Sequence, residues 1–432
     1  MKTGLKPITI SLTAPRASEL VEGFITQLQR TLLKQLMDKR NSNKSNDKTQ
    51  QIRMLQKKLK ATNMVVVPTD KTNSFKMISK EEYIKQVKTH LAKSGKEIKP
   101  NKLTEVKGKA EKLLDELLPI ISEKEAWFLQ QSIKSKAIPT PKPLIKDHKD
   151  PDELNNYPTR LVVPANNFTS AFPKLGYMGI KKIFDDNKIN YKKRTIIQAS
   201  DLKEKIEKMG ITSENSTIVS IDAEEFYPSI KFKLVKKAVK YFAKNLSKED
   251  KNKIEQCLEM VKFGMSSTLL TFVDQYYEYD GEEDSENKGL TIGGYESAWF
   301  ADLAGAYVLE KTQQYFKHSK YHGMYRDDGF GVLIGKWSYQ EVVNWRNSFQ
   351  NQVNKVVGGN YLQFTCEVWL DSTWRTSPNI SPKEMKKNKV TIQKDRTFPY
   401  LDMELIWSTE GNLQFQVHLK PNQQLKYLNK GS

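Results

Sequence analysis

The chain has 432 residues, 38% of them hydrophobic, which is enough for a sizeable core shared among two or three subdomains. Lys and Arg number 70 against 51 Asp and Glu, so the formal net charge is +19. A surplus of this size favours a polyanionic partner, nucleic acid first, with a merely lysine-rich surface as the plain alternative. Two distant cysteines, Cys257 and Cys366, exclude a disulfide framework or a zinc cluster of their own and suit a reducing, intracellular setting, nucleus or cytoplasm. No apolar run approaches the ~18 residues of a membrane span, so no membrane partner is expected.

Taken in chain order, Leu20, Phe24, Leu28, Leu32 and Leu36 recur at helical spacing, and Asn41 to Gln51 reads as a polar linker. Residues 1–60 carry 13 basic and 4 acidic side chains, so 1–61 is expected to be a basic helical extension. It is either a nucleic-acid contact or a solvated helical pair. Strands are expected at 64–68 and around Phe75 to Ile78, helices over 80–94 and 103–135, and a hairpin over 143–165. Further helices are expected over 170–186, 201–209, 231–245 and 248–263. A hairpin with an acidic tip at Glu282-Glu283-Asp284 leads to Gly289, and a helix covers 295–318. His318 and His322, four apart, could share a helix face, but the surrounding residues give no zinc spacing. A hairpin over 322–335 and a helix over 338–356 follow, and the chain is strand-rich from Tyr361. The alternation predicts an α+β fold.

Two acidic positions carry the chemistry. Ile218 to Ile221 is an apolar strand ending in Asp222, and Tyr325-Arg326-Asp327-Asp328 precedes Gly329-Phe330-Gly331 and a second apolar strand. Carboxylates at strand ends, distant in sequence, are what two-metal nucleotidyl transfer requires, because hard divalent cations prefer carboxylate oxygens. A hairpin turn lets Asp327 face the metals while Asp328 supports it, and Gly329 and Gly331 allow the unusual dihedrals of such a turn. The plain alternative is a surface Asp-Asp-Gly turn. Tyr227, five residues beyond Asp222, is either a core aromatic beside Pro228 or a wall under the sugar of an incoming nucleotide. Glu224 and Glu225 are expected to face solvent or a basic neighbour.

Several separated strings together resemble reverse transcriptases, most closely those of Penelope-like retroelements, over roughly residues 62–432. Tyr325-Arg326-Asp327-Asp328 is similar to the family's Tyr-x-Asp-Asp turn, and Asp222 with Tyr227 to the first palm motif. Gly289-Leu290-Thr291-Ile292-Gly293-Gly294 with Ser297 is similar to the glycine motif that lies against template and incoming base. Leu144 to Lys149 and Tyr157 to Val163 resemble fingers strings, and Val65 to Lys71 an upstream segment ending in Asp-Lys. Phe364 to Glu367, Tyr400-Leu401-Asp402, Lys420-Pro421 and Tyr427-Leu428 resemble the closing strings.

The resemblance implies a right-hand polymerase with fingers over 62–215, a palm over 216–410 and the start of a palm–thumb connection over 411–432, the thumb being absent or truncated. It implies an RNA-directed DNA polymerase that adds deoxynucleotides to a primer 3′-hydroxyl. Asp222, Asp327 and Asp328 would hold two Mg2+ ions, with Mn2+ as a substitute. Lys146 and Arg160 would contact phosphates, Tyr227 would select the sugar, and Gly293 and Gly294 would admit the template pair. The partners implied are an RNA template, a DNA primer, a deoxynucleoside triphosphate and a separate nuclease. Arg326 stands where small or apolar residues are usual, near the primer terminus, either gripping a phosphate or distorting the site. A decayed retroelement protein that only binds nucleic acid, and an RNA-directed RNA polymerase, are the alternatives.

Overall fold

A computed structural model describes residues 53–54, 57, 59, 61–70, 75–146, 157–370, 380–393, 395 and 397–417. Expectations for the N-terminal extension before Arg53, for Lys71, for Asp147 to Lys149 and for the segment from His418 onward lie outside the described residues.

The elements run β1 (Met64–Pro68), β2 (Phe75–Ser79), α1 (Lys80–Ser94), β3 (Gly95–Ile98), α2 (Pro100–Leu117), α3 (Glu123–Ser135), β4 (Lys142–Ile145) and β5 (Thr159–Val162). Next come α4 (Ala171–Asp186), α5 (Ala199–Glu207), β6 (Ser216–Glu224), α6 (Phe226–Ser229), α7 (Phe232–Phe242), α8 (Lys248–Ser266), β7 (Leu269–Phe272) and β8 (Gln275–Tyr279). The rest are α9 (Ser297–Thr312), β9 (Ser319–Tyr325), β10 (Asp328–Ile334), α10 (Tyr339–Val357), β11 (Gln363–Trp369), α11 (Pro382–Asn388), β12 (Val390–Ile392), β13 (Thr397–Tyr400), β14 (Met403–Trp407) and β15 (Leu413–Val417). Helices and strands are mixed along the chain, and every strand pair but β11–β12 is antiparallel among the described residues, which is the α+β class.

Three expectations are corrected. The 103–135 helix is two helices, because Ser122 and Glu125 form a reciprocal capping box that starts α3 afresh. The β7–β8 hairpin turns at Val273 and Asp274, both at positive φ (47° and 60°), so the acidic residues Glu282 to Asp284 lie beyond it. There Asp284 accepts from the Glu286 amide and opens a short 3₁₀ turn. His322 is on β9 rather than on a helix, and its ring stacks on Phe316 at 4.2 Å.

The chain forms two compact units. Among the described residues, the first comprises those up to Ile183 and Asn252–Ser297, and the second Phe184–Lys251 and those from Ala298 to Val417. In the first, β1 pairs with β2, β4 with β5, and β3-β8-β7 form a small sheet. Val87 and Leu91 of α1 pack with Leu161, Val163, Leu270 and Phe272 to make its core.

The second unit is built on a five-stranded sheet of order β12-β11-β6-β10-β9. All its pairs are antiparallel except β11–β12. β6 lies at the centre, so Ile218 and Val219 are both buried although they point to opposite faces. On one face Ile218, Phe330, Val332 and Trp369 pack against Phe398, Tyr400, Met403 and Leu405. α9 is apolar nearly all round, and it is correspondingly buried from Phe300 to Leu309, apart from a half-buried Asp302. α10 starts at a Ser338–Glu341 capping box and stops at Gly358, φ 78°. Its Arg346 donates to the Phe364 carbonyl, and its Gln350 accepts from the Phe364 amide at 2.9 Å. These bonds lock α10 to β11.

Candidate active site

The second unit fixes the carboxylates through strand register. β10 pairs with β6 so that Asp328 opposes Asp222, Gly329 opposes Ile221 and Phe330 opposes Ser220. The Ala223 amide donates to the Asp327 carbonyl at 3.0 Å. That makes Ala223–Asp327 a hydrogen-bonded pair, and Asp222–Asp328 the neighbouring non-hydrogen-bonded pair. Opposed residues at such a position share a face and approach most closely, with Cα atoms ~4.5 Å apart. Asp222 is exposed, and Asp327 and Asp328 are half-buried.

The loop of the β9–β10 hairpin is Arg326–Asp327. Arg326 has φ +54°, whereas Asp327 has no positive φ, which is the sign pattern of a type II′ turn. The expectation that Gly329 and Gly331 supply the unusual dihedrals is therefore corrected: neither has a positive φ, and Arg326 carries the strained backbone. The glycines provide room instead. A Cβ on Gly329 would stand 2.3 Å from Ile221 Cγ1, and one on Gly331 2.9 Å from Val219 Cγ2. The expected division of labour within the pair also changes, because the register gives Asp328 the place opposite Asp222 and leaves Asp327 in the loop.

Tyr400 buttresses this end of the sheet. Its hydroxyl donates to the Asp328 carbonyl at 2.9 Å, and its ring packs on Phe330 at 4.9 Å. Burial, then the charge of Asp328, then Tyr321 and Asp327, hold the Tyr400 phenol far above its ordinary range. Thr365, opposite Asp222 on β11, donates to the Asp222 carbonyl at 3.4 Å. Glu224 pairs with Lys389 at 2.8 Å, the basic neighbour expected for it, and Glu225 is exposed. Tyr227 follows the buried Phe226 on α6 and is half-buried, with the two rings 6.1 Å apart.

Among the described residues, no group of three or more His, Cys, Asp or Glu side chains stands close enough to hold a metal ion as it is. The donor chemistry nonetheless fits a hard divalent cation. Two carboxylates face each other and a third stands one residue away, so every donor is an oxygen. Both cysteines are buried, and burial pushes each thiol up to about 12, far from the thiolate a soft metal would need.

The first unit brings the other expected residues together. Leu144 opposes Arg160 across the β4–β5 hairpin, and the Lys146 amide donates to the Pro158 carbonyl at 2.8 Å. By alternation Lys146 and Arg160 fall on one face. Arg160 also pairs with the buried Asp70 at 3.3 Å. The glycine motif seats directly on the end of β5, where the Val163 amide donates to the Ile292 carbonyl at 2.8 Å. A Cβ on Gly293, φ +116°, would stand 2.3 Å from the Val163 carbonyl oxygen. A Cβ on Gly294 would stand 2.4 Å from Ser297 Oγ. Both glycines thus serve close packing within the chain.

One contributor escaped the sequence reading, Tyr400 as a buttress.

Among the described residues, no helix is long and apolar enough to cross a membrane. No family model and no curated protein matches the chain. Among solved structures it is similar to the telomerase of Candida albicans in complex with a fragment of telomeric RNA, at 10% identity and TM-score 0.48, over 83% of this chain and 55% of that one. It is similar to the apo telomerase of Candida tropicalis truncated of its C-terminal domain, at 9% identity and TM-score 0.48, over 82% of this chain and 63% of the other. It is also similar to the apo telomerase of Candida tropicalis, at 7% identity and TM-score 0.48, over 86% of this chain and 62% of the other. The chain spans 55% to 63% of the length of these three structures.

Proposed function

We propose that the chain is a reverse-transcriptase-like polymerase of retroelement type, adding deoxynucleotides to a primer 3′-hydroxyl on an RNA template. The observation that carries this reading is the opposition of Asp222 and Asp328 on one sheet face, with Asp327 in the adjoining loop. Like charges directly opposed destabilise an antiparallel pair, so their placement calls for a chemical reason. Two bound Mg2+ ions would activate the primer oxygen and steady the triphosphate. Asp222, Asp327 and Asp328 supply the oxygen ligands, and the rigid β6–β10 pair keeps two of them at fixed separation.

In this reading Tyr227 lies under the sugar and excludes a 2′-hydroxyl by shape. Lys146 and Arg160 neutralise the triphosphate, Arg160 through its planar fork. Gly293 and Gly294 shape the segment that meets the template pair. Duplex binding is largely electrostatic, in keeping with the +19 net charge, and weakens steeply with salt. The partners are RNA, a DNA primer and a deoxynucleoside triphosphate, with a separate nuclease.

The test is primer extension on an RNA template with Mg2+, comparing the parent chain with Asp222→Asn, Asp327→Asn and Asp328→Asn. Incorporation should fall at least ~100-fold in the Asp222 and Asp328 variants. Equal incorporation in parent and variants ends the reading. Tyr227→Ala should admit ribonucleotides, and an unchanged sugar preference would remove its assigned role.

A further inference from the structure

The first unit holds a buried carboxylate that packing does not explain. β1 ends at Pro68, and the chain runs on beside β4. Thr69 bridges Ile145 in parallel, and the Asp70 amide donates to the Ile145 carbonyl at 2.8 Å. β5 lies on the other side of β4, with Thr159 opposite Ile145 and Arg160 opposite Leu144. Paired residues share a face, so Thr69, Ile145 and Thr159 point one way. Asp70, one residue further on, points the other way, as Lys146 and Arg160 do. Arg160 therefore reaches across β4, about two strand spacings or ~10 Å, to meet Asp70. There its Nη1 donates to Asp70 Oδ1 at 3.3 Å.

The pair is lopsided. The Asp70 side chain is 6% exposed and the Arg160 side chain 37%. Among the described residues this contact is the one hydrogen bond of the Arg160 side chain, so most N–H donors of its fork stay uncommitted. Asp70 Oδ2 is buried and has no hydrogen-bond partner among the described residues. A buried carboxylate oxygen without a donor is a cost, and an ion pair whose cation is this exposed returns little stability. Packing alone would favour an apolar residue at position 70. The arrangement suits another task. An anchored carboxylate grips one edge of the fork and leaves the free edge to solvent, on the face that also carries Lys146.

We infer that Asp70 is the positioning residue that aims Arg160 at a polyphosphate. The inference rests on the polymerase reading for naming that ligand a deoxynucleoside triphosphate. The pair itself is defined by its contact and its burial, and it is read out without catalysis. A free arginine side chain gives up rotamer freedom when it binds, and one already held by a carboxylate gives up less. Repulsion between Asp70 and the incoming phosphate opposes this gain. The guanidinium stands between the two anions and offsets that repulsion, and its planar fork can hold a carboxylate on one edge and a phosphate on the other.

The experiment titrates the full chain with inorganic triphosphate by calorimetry at physiological ionic strength, without primer or template. Arg160→Met and Arg160→Gln, the latter still offering Asp70 a donor, should each weaken binding at least ~10-fold. That loss defines the site against the background of surface lysines. Asp70→Asn keeps the size of the side chain and one acceptor. It should weaken binding about 3- to 10-fold with Arg160 present and have no effect in either Arg160 variant. In primer extension it should raise KM for the deoxynucleotide by a similar factor at unchanged kcat. Unchanged or tighter triphosphate binding in Asp70→Asn overturns the inference, whatever the urea midpoint of the variant. Equal losses in all backgrounds also overturn it, because Asp70 would then act on the fold and not through Arg160. If the binding cycle behaves as stated while primer extension is absent, the polymerase reading fails and the polyphosphate site stands. If primer extension is present and the cycle shows no coupling, the polymerase reading stands and the positioning role falls.

Discussion

Asp328 and Asp222 are cross-strand partners at a non-hydrogen-bonded position, the closest approach that two side chains on neighbouring antiparallel strands can have. Like charges there cost a few tenths to about 1 kcal/mol, a cost a divalent cation would remove. Asp328→Asn should therefore melt no lower than the parent chain in the absence of divalent ions. Adding Mg2+ should raise the melting temperature of the parent and move the variant less, because a ligand stabilises only the state that binds it. Thermal unfolding with and without millimolar Mg2+ reads this directly. An equal shift in both would show that the ion does not use Asp328.

Gly329 makes the opposition possible by letting β10 lie flat on β6. A methyl group added there would stand 2.3 Å from Ile221 Cγ1 and 2.8 Å from Cδ1. Gly329→Ala should destabilise the second unit by about 1–3 kcal/mol through overpacking. The obstruction is side chain rather than backbone, so Ile221→Ala combined with Gly329→Ala should cost less than the sum of the single changes. Urea unfolding of the four chains gives the coupling, and strict additivity would mean the strand relieves the clash in another way.

Much of this arrangement was legible in the sequence. Apolar runs ending in Asp222, and flanking Asp327 and Asp328, mark strands with acidic ends, and β6, β9 and β10 lie there. Register was not legible, because it depends on which residues form the loop. Assigning Arg326–Asp327 to the turn, instead of Asp327–Asp328, exchanges the two aspartates. The glycines misled for a related reason. Sequence offers glycine as the default carrier of positive φ, but here an arginine takes that backbone and the glycines answer to neighbouring side chains.

Glu296, in the first unit, gives a pH prediction. It is 6% exposed, and burial pushes its carboxyl from an ordinary 4.5 up to about 7, against the opposing pull of its own amide and of Ser297. Between these values the folded chain binds a proton that the unfolded chain has lost, so stability falls as pH rises through the window and levels off above it. The loss is at most about 3 kcal/mol. Denaturant unfolding at pH 5 and pH 8 should show it, and Glu296→Gln should flatten that contribution. A parent chain equally stable at both values, with a variant showing the same profile, would mean the group is solvated.

Arg326 combines a backbone cost with a side-chain role, and two substitutions separate them. At φ +54° a residue with a Cβ is strained, whereas glycine is not. Both Arg326→Gly and Arg326→Ala remove the guanidinium, so both should lower the salt slope of duplex binding equally. Only glycine relieves the turn, so Arg326→Gly should exceed Arg326→Ala in stability by about 1 kcal/mol, even though glycine gives the unfolded chain more freedom to lose. Urea midpoints compared at matched m-values measure the difference. Equal midpoints would show that the loop adopts another conformation in solution, and Arg326 would then not hold the positive φ described.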